Sequence, residues 1–145
     1  FRAVVLRIRQ RALAAYDASL VILKRVAADD PDNAEWQRDL SVSHNKVGDV
    51  RLAQGDLAAA FAAYEAGLAI SKRLATGDPH NAEWQRDLIV SHFKMAQAGS
   101  NARKHLAKAL EIAVAMQARG ILAPADAFIP GLLRDELAKL DAAAR

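Results

Sequence analysis

The chain has 145 residues, with 20 basic and 17 acidic side chains for a net charge of +3, enough length to bury one core unaided. It holds no Cys, which excludes disulfides, thiolate nucleophiles and Cys-ligated metals. No run approaches the roughly 18 apolar residues of a membrane span, and no signal-peptide pattern opens the chain. Hydrophobic residues make up 52% and aromatics only 6%, an Ala-rich balance that favours helices packed through small side chains.

The chain opens without Met on FRAVVLRI, which leads us to expect a piece of a longer multidomain protein. Leu13, Tyr16 and Leu20 keep helical spacing, so residues 1–29 read as the helix of an incomplete first unit. Its start leaves Val4, Val5 and Ile8 in want of a packing partner, and gathers Arg2, Arg7, Arg9 and Arg11 with no acid before Asp17. Asp29-Asp30-Pro31 stops this helix, since Pro disfavours a helical residue before it. Asn33 can cap the next helix, with Glu35 in its positive first turn, or Asp32 and Glu35 can form a variant capping box. From there Trp36, Leu40, Ser43, Val47 and Val50 share one face. Trp36, like Trp84 one period later, can stack a ligand or pack against the previous helix; the core-facing position favours packing, and truncation of Trp36 to Ala should then cost on the order of 3 kcal/mol or more.

Gln54-Gly55-Asp56 breaks the second helix and Leu57 begins a third, carrying Phe61, Tyr64 and Leu68 at the spacing of the first. Gly77-Asp78-Pro79 ends it, with Gly77 free to take a left-handed cap. The octapeptide NAEWQRDL of Asn33–Leu40 then recurs unchanged as Asn81–Leu88, a period of 48 residues. Residues 12–47 and 60–95 are identical at 24 of 36 positions, so the chain has copied a unit within itself. Trp84, Leu88, Ser91, Met95 and Ala98 repeat the apolar face, after which six residues are missing around the turn. Gly99-Ser100-Asn101 reads as the shortened corner, with Ser100 or Asn101 capping a helix that runs to about Arg119 and ends at Gly120. Pro124 and Asp126 suggest a short turn or a helix start. A last helix after Pro130-Gly131 closes the stack, Leu132, Leu133, Leu137 and Leu140 inward and Arg134, Asp135 and Lys139 in water.

Short connections between consecutive helices imply antiparallel neighbours, and the expected fold class is all-α, an α-solenoid of antiparallel hairpins with a C-terminal capping helix. Its parts are a helix at 1–29, a full unit at 33–76, a shortened unit at 81–119 and a cap at 124–145. Residues 42–72 resemble a tetratricopeptide repeat: Gly48, the Gly55-Asp56 turn, Ala60, Tyr64 and Leu68 stand at that family's small, turn, Ala and aromatic positions. The DPxNAEWQRDLxVSH stretch is similar to a variant of bacterial multidomain proteins, longer than the usual unit of about 34 residues. Departures from the family pattern are His44 and His92 at its first aromatic position, Gly67 for an Ala, and Ala96 for Gly48.

Chemistry has few candidate parts. His44 and His92 sit at equivalent positions with no His three or four residues away and no carboxylate completing a set, so hydrogen bonding at a helix seam is expected, and no metal. Ser41, Ser43 and Ser91 lie outside any nucleophile elbow, and the seven Gly are scattered with no phosphate loop. Gln37, Arg38 and Asp39, repeated as Gln85, Arg86 and Asp87, read as a charge ladder between units or as a binding surface. No enzyme and no cofactor is expected.

The expected function is therefore a non-enzymatic, cytoplasmic protein-interaction scaffold that holds a peptide or helix of a partner on its concave surface. The resemblance maps that surface to Val42, Asn45, Asp49 and Leu52, with Lys46 beside them, and to Val90, Phe93 and Gln97, with Lys94 beside them. Phe93, which replaces Asn45 in the copy, is either a groove anchor or an inter-helix contact. The alternatives are self-association through residues 1–28 and, on the two basic clusters alone, weak nucleic-acid binding. The second cluster comprises Lys94, Arg103, Lys104 and Lys108.

Overall fold

A computed structural model describes residues 1–99 and 101–145, and among them every regular element is helical. The order is α1 (Arg2–Asp29), α2 (Ala34–Ala53), α3 (Leu57–Gly77), α4 (Ala82–Gln97), α5 (Ala102–Ala118), a 3-10 turn (Pro124–Asp126) and α6 (Ile129–Ala143). Two compact units are formed, Phe1–Ile70 and Ser71–Arg145, with the boundary inside α3. No helix among the described residues is long and apolar enough to cross a membrane.

In the first unit α1 packs on α2. Asn33 accepts the Trp36 N–H at 3.2 Å, satisfying one of the free donors that open α2, and the Asp32–Glu35 alternative is not used. One residue on, Gln37 donates through Nε2 to the Ala27 carbonyl at 3.2 Å in a buried contact, tying α2 to the end of α1. Arg9 donates to the Ala53 carbonyl at 3.1 Å, placing a cation where the α2 dipole is negative. The α2–α3 corner needs a left-handed residue and has one in Gly55 (φ 79°), after which Asp56 accepts from the Ala59 N–H.

Close approach defines the α2–α3 seam. A Cβ on Gly48 would stand 2.3 Å from Cε1 of Tyr64, whose side chain is fully buried and whose hydroxyl donates to Asp49 at 2.6 Å. Burial, the Asp49 hydrogen bond and its charge together raise the Tyr64 pKa. Ser41 Oγ donates to the Gly67 carbonyl at 2.9 Å. Those pairings run in opposite senses along the two helices, so α2 and α3 are antiparallel.

The second unit repeats the local devices. Asn81 accepts the Trp84 N–H at 3.0 Å, and Gln85 donates to the Ala75 carbonyl at 2.9 Å. Ser91 donates to Ser71 Oγ at 3.0 Å in the buried seam between the end of α3 and α4. Helix α5 packs on both α4 and α6, and the core comprises Leu88, Ile89, Met95, Leu106, Ala109, Ile112, Ala113, Met116, Ile129 and Leu133. Buried Asp126 receives the guanidinium of Arg86 through Nε at 2.8 Å and Nη2 at 3.3 Å.

Several expectations need correction. Trp36, in the first turn of α2, is 37% exposed, while Trp84 at the equivalent position of α4 is half-buried. Gly77 is the last helical residue of α3 and not a left-handed cap, because Asp78 N–H bonds directly to the Leu74 carbonyl. In α6 the inward stripe begins at Ile129 and passes through Leu133, four residues on, which leaves the adjacent Leu132 exposed on its flank. Arg86 of the repeated Gln-Arg-Asp triplet pairs with Asp126 of the 3-10 turn after α5, a charge link from the shortened unit to the closing segment that agrees with the ladder reading. At the shortened corner Asn101 itself adopts the left-handed conformation (φ 48°) and makes no side-chain cap; Ser100 lies outside the described residues.

Candidate functional site

One turn of α4 after another presents Gln85, Leu88 and His92 to the same side, while α5 presents Lys104, His105, Lys108, Ile112, Ala115 and Arg119. With Lys72, Ala75 and Thr76 at the end of α3, these residues enclose an open pocket of about 640 Å³ within the second unit. Leu88, Ile112, Ala115 and Met116 supply its apolar surface. Lys72, Lys104, Lys108 and Arg119 supply cations, and Glu111 is the one carboxylate that lines it. Glu111 already pairs with Lys108 at 3.0 Å, and Arg119 donates to the Pro79 carbonyl at 3.2 Å. Lys72 and Lys104 are exposed, so the pocket's field is positive.

At one side His92 and His105 meet with their Nδ1 atoms 3.0 Å apart. Ring centroids 5.3 Å apart set the two rings nearly end to end along that line, the geometry of a hydrogen bond and not of two lone pairs converging on a metal. One Nδ1 therefore carries the proton that the other accepts. Burial, then His105, Lys108 and Lys72, push the His92 pKa down to about 4. Burial and Lys104 lower that of His105. Both rings are neutral at pH 7, and only protonation of both would replace the hydrogen bond by two facing cations. Among the described residues no three His, Asp or Glu side chains gather as a metal set.

None of the nine positions mapped from the resemblance lines this pocket. Asp49 accepts the Tyr64 hydroxyl, and Lys46 places Nζ 5.9 Å from the centre of the Tyr16 ring, a cation–π arrangement. Asn45 leans on α3 at Gly67 with its Oδ1 buried and without a hydrogen-bond partner. Val42, Leu52, Val90, Phe93 and Lys94 are half-buried, and Gln97 is exposed.

His92 was legible as a seam residue, but His105 was not read as its partner. A signal was present: aligning α5 with α3 across the six missing residues puts His105 where the first copy has Ala63. The first copy accordingly has a buried His44, its pKa lowered by burial and Lys24, and no second ring at that place in the repeat. No protein-family model matches the chain, and no curated protein or solved structure is significantly similar to it.

Proposed function

We propose that the chain is a non-enzymatic protein-interaction module, a tetratricopeptide-like array whose second unit holds an acidic, partly apolar segment of a partner protein. The observation that carries this reading is the pocket itself, an apolar floor under exposed Lys72 and Lys104 with its single carboxylate already paired. Such a surface suits a segment that buries Leu-like side chains and offers carboxylates to the rim. The sequence repeat, the copied caps and the copied Gln latches to Ala27 and Ala75 support the array as stacking devices. His105, which the first copy does not share, lies at the pocket. The face mapped to Val90, Phe93, Lys94 and Gln97 is the competing place for the same partner.

Isotope-labelled protein titrated with a short peptide of alternating Glu and Leu distinguishes the two. Shifts concentrated at Leu88, His105, Ile112 and Ala115, and weakened by salt, are expected. Shifts confined to Val90, Phe93 and Gln97 would move the site to the competing face, and no shifts at all would remove the reading.

A further inference from the structure

The two copies of the repeat differ at one chemically telling place. Ala63 occupies in the first copy the position that His105 holds in the second, so the paired rings belong to the unit with the α4–α5 pocket. Within the pair His92 is 9% exposed, while His105 is half-buried and reachable from the pocket that both rings line.

Geometry makes this pair a receiver of one proton. The Nδ1 atoms, 3.0 Å apart, hold a single hydrogen between the rings. The ring that donates through Nδ1 has a bare lone pair on Nε2, and the ring that accepts carries its other hydrogen on Nε2. A proton from solvent can join that lone pair without disturbing the shared hydrogen bond. Both Nε2 atoms are then donors, and the pair carries one positive charge.

Cations oppose that proton in the empty pocket. Burial lowers the pKa of both rings, and beyond it Lys108 of α5 and Lys72 of α3 act on His92 while Lys104 of α5 acts on His105. Glu111 of α5 is already held by Lys108, and α6 contributes no residue to the lining. About 10 Å of α5 separates His105 from Ile112, so the charge gathers at one end of the pocket and the apolar floor extends away from it. A carboxylate at the charged end would offset the lysines and accept from the imidazole donors.

We propose that the His92–His105 pair, together with Lys72 and Lys104, seats a side-chain carboxylate of the partner segment and takes up one proton from solvent as that carboxylate binds. The proposal rests on the reading of the pocket as a site for an acidic, partly apolar segment. It gives that site a sense of pH: a group protonated only in the complex makes binding tighter as pH falls. Lysine and glutamate side chains do not titrate between pH 6 and pH 8, so lysines alone give a flat response in that range.

The test is calorimetric titration of the full chain with the alternating Glu-Leu peptide, acetylated and amidated at its ends, at pH 6 and pH 8. Each pH is run in buffers of different ionisation enthalpy, which counts the protons exchanged. Binding about fivefold or more tighter at pH 6, with net proton uptake, is expected. His105→Gln keeps a polar neighbour for His92, and it should still bind the peptide while losing both the pH dependence and the uptake. Nitrogen-15 spectra of the histidine rings at pH 6 should show a cationic ring in this pair only with peptide present. Equal affinity at the two pH values with no proton exchanged overturns the proposal and leaves the pocket reading standing. The same holds for a pH dependence that survives His105→Gln unchanged. Absence of binding at both pH values overturns the two together.

Discussion

Replacing Gly48 by Ala tests whether α2 and α3 are held by close approach. A methyl there would stand 2.3 Å from Cε1, 2.5 Å from Cδ1 and 3.0 Å from Cζ of Tyr64. The ring cannot swing aside cheaply, since it is fully buried and its hydroxyl is anchored on Asp49 at 2.6 Å. Overpacking of this kind costs about 1–3 kcal/mol, and disturbing a hydrogen bond to a charged acceptor adds about 1–2. The helical preference of Ala over Gly returns only about 1 kcal/mol. The clash wins, by about 2–3 kcal/mol net. Shrinking the ring should rescue it, because the second copy holds Ala96 and buried Leu106 at the corresponding positions. Tyr64→Leu alone should destabilise by about 2–3 kcal/mol through a cavity and a lost hydrogen bond. In the double variant the two effects should fall short of their sum by about 1.5 kcal/mol or more. Guanidinium unfolding followed by far-ultraviolet circular dichroism measures all three. A neutral or stabilising Gly48→Ala, or strictly additive effects, would refute the reasoning.

The His pair predicts an acid-side loss of stability. The native pKa of His92 is near 4 and the unfolded one near 6.5, so its contribution is intact above pH 6.5 and lost as pH falls through about 4. At 1.36 kcal/mol per pKa unit the full effect is roughly 3 kcal/mol, most of it lost by pH 4.5; urea unfolding at pH 7.5 and pH 4.5 should show a loss that His92→Gln reduces, and an unchanged loss would contradict the assignment. Arg86→Ala strands a buried carboxylate at Asp126 and should cost about 2 kcal/mol, the partial exposure of the arginine tempering the effect. Asp126→Asn in the Arg86→Ala background should recover part of that cost, and no recovery would mean the ion pair is not its source. Trp36→Ala should cost only about 1–2 kcal/mol, less than Trp84→Ala, which follows from their different burial and is read from paired melting curves.

The helices were legible because their signals are local. Asn33 and Asn81 cap the helices they precede, Gly55 and Gly120 turn the chain, and the 3.6-residue stripes place Leu40, Val47, Leu88 and Met95 inside. Trp36 and Leu132 were misjudged because periodicity gives the direction of a side chain and not how much of the opposing helix reaches it. The pocket was hidden for a related reason. The resemblance directs attention to one face of each first helix, whereas the pocket forms where α4, α5 and the end of α3 leave space. The link between Arg86 and Asp126 spans 40 residues and depends on how the segment after α5 returns, which no spacing rule encodes.

The central claim, that the second unit holds an acidic and partly apolar segment, is tested most directly by calorimetric titration of the Glu-Leu peptide into the full chain and into a Lys72→Glu, Lys104→Glu variant. Affinity that falls by about tenfold or more in the variant, with the Phe93→Ala protein binding as the parent does, is the predicted result. Equal affinity for parent and charge-reversed variant would contradict it.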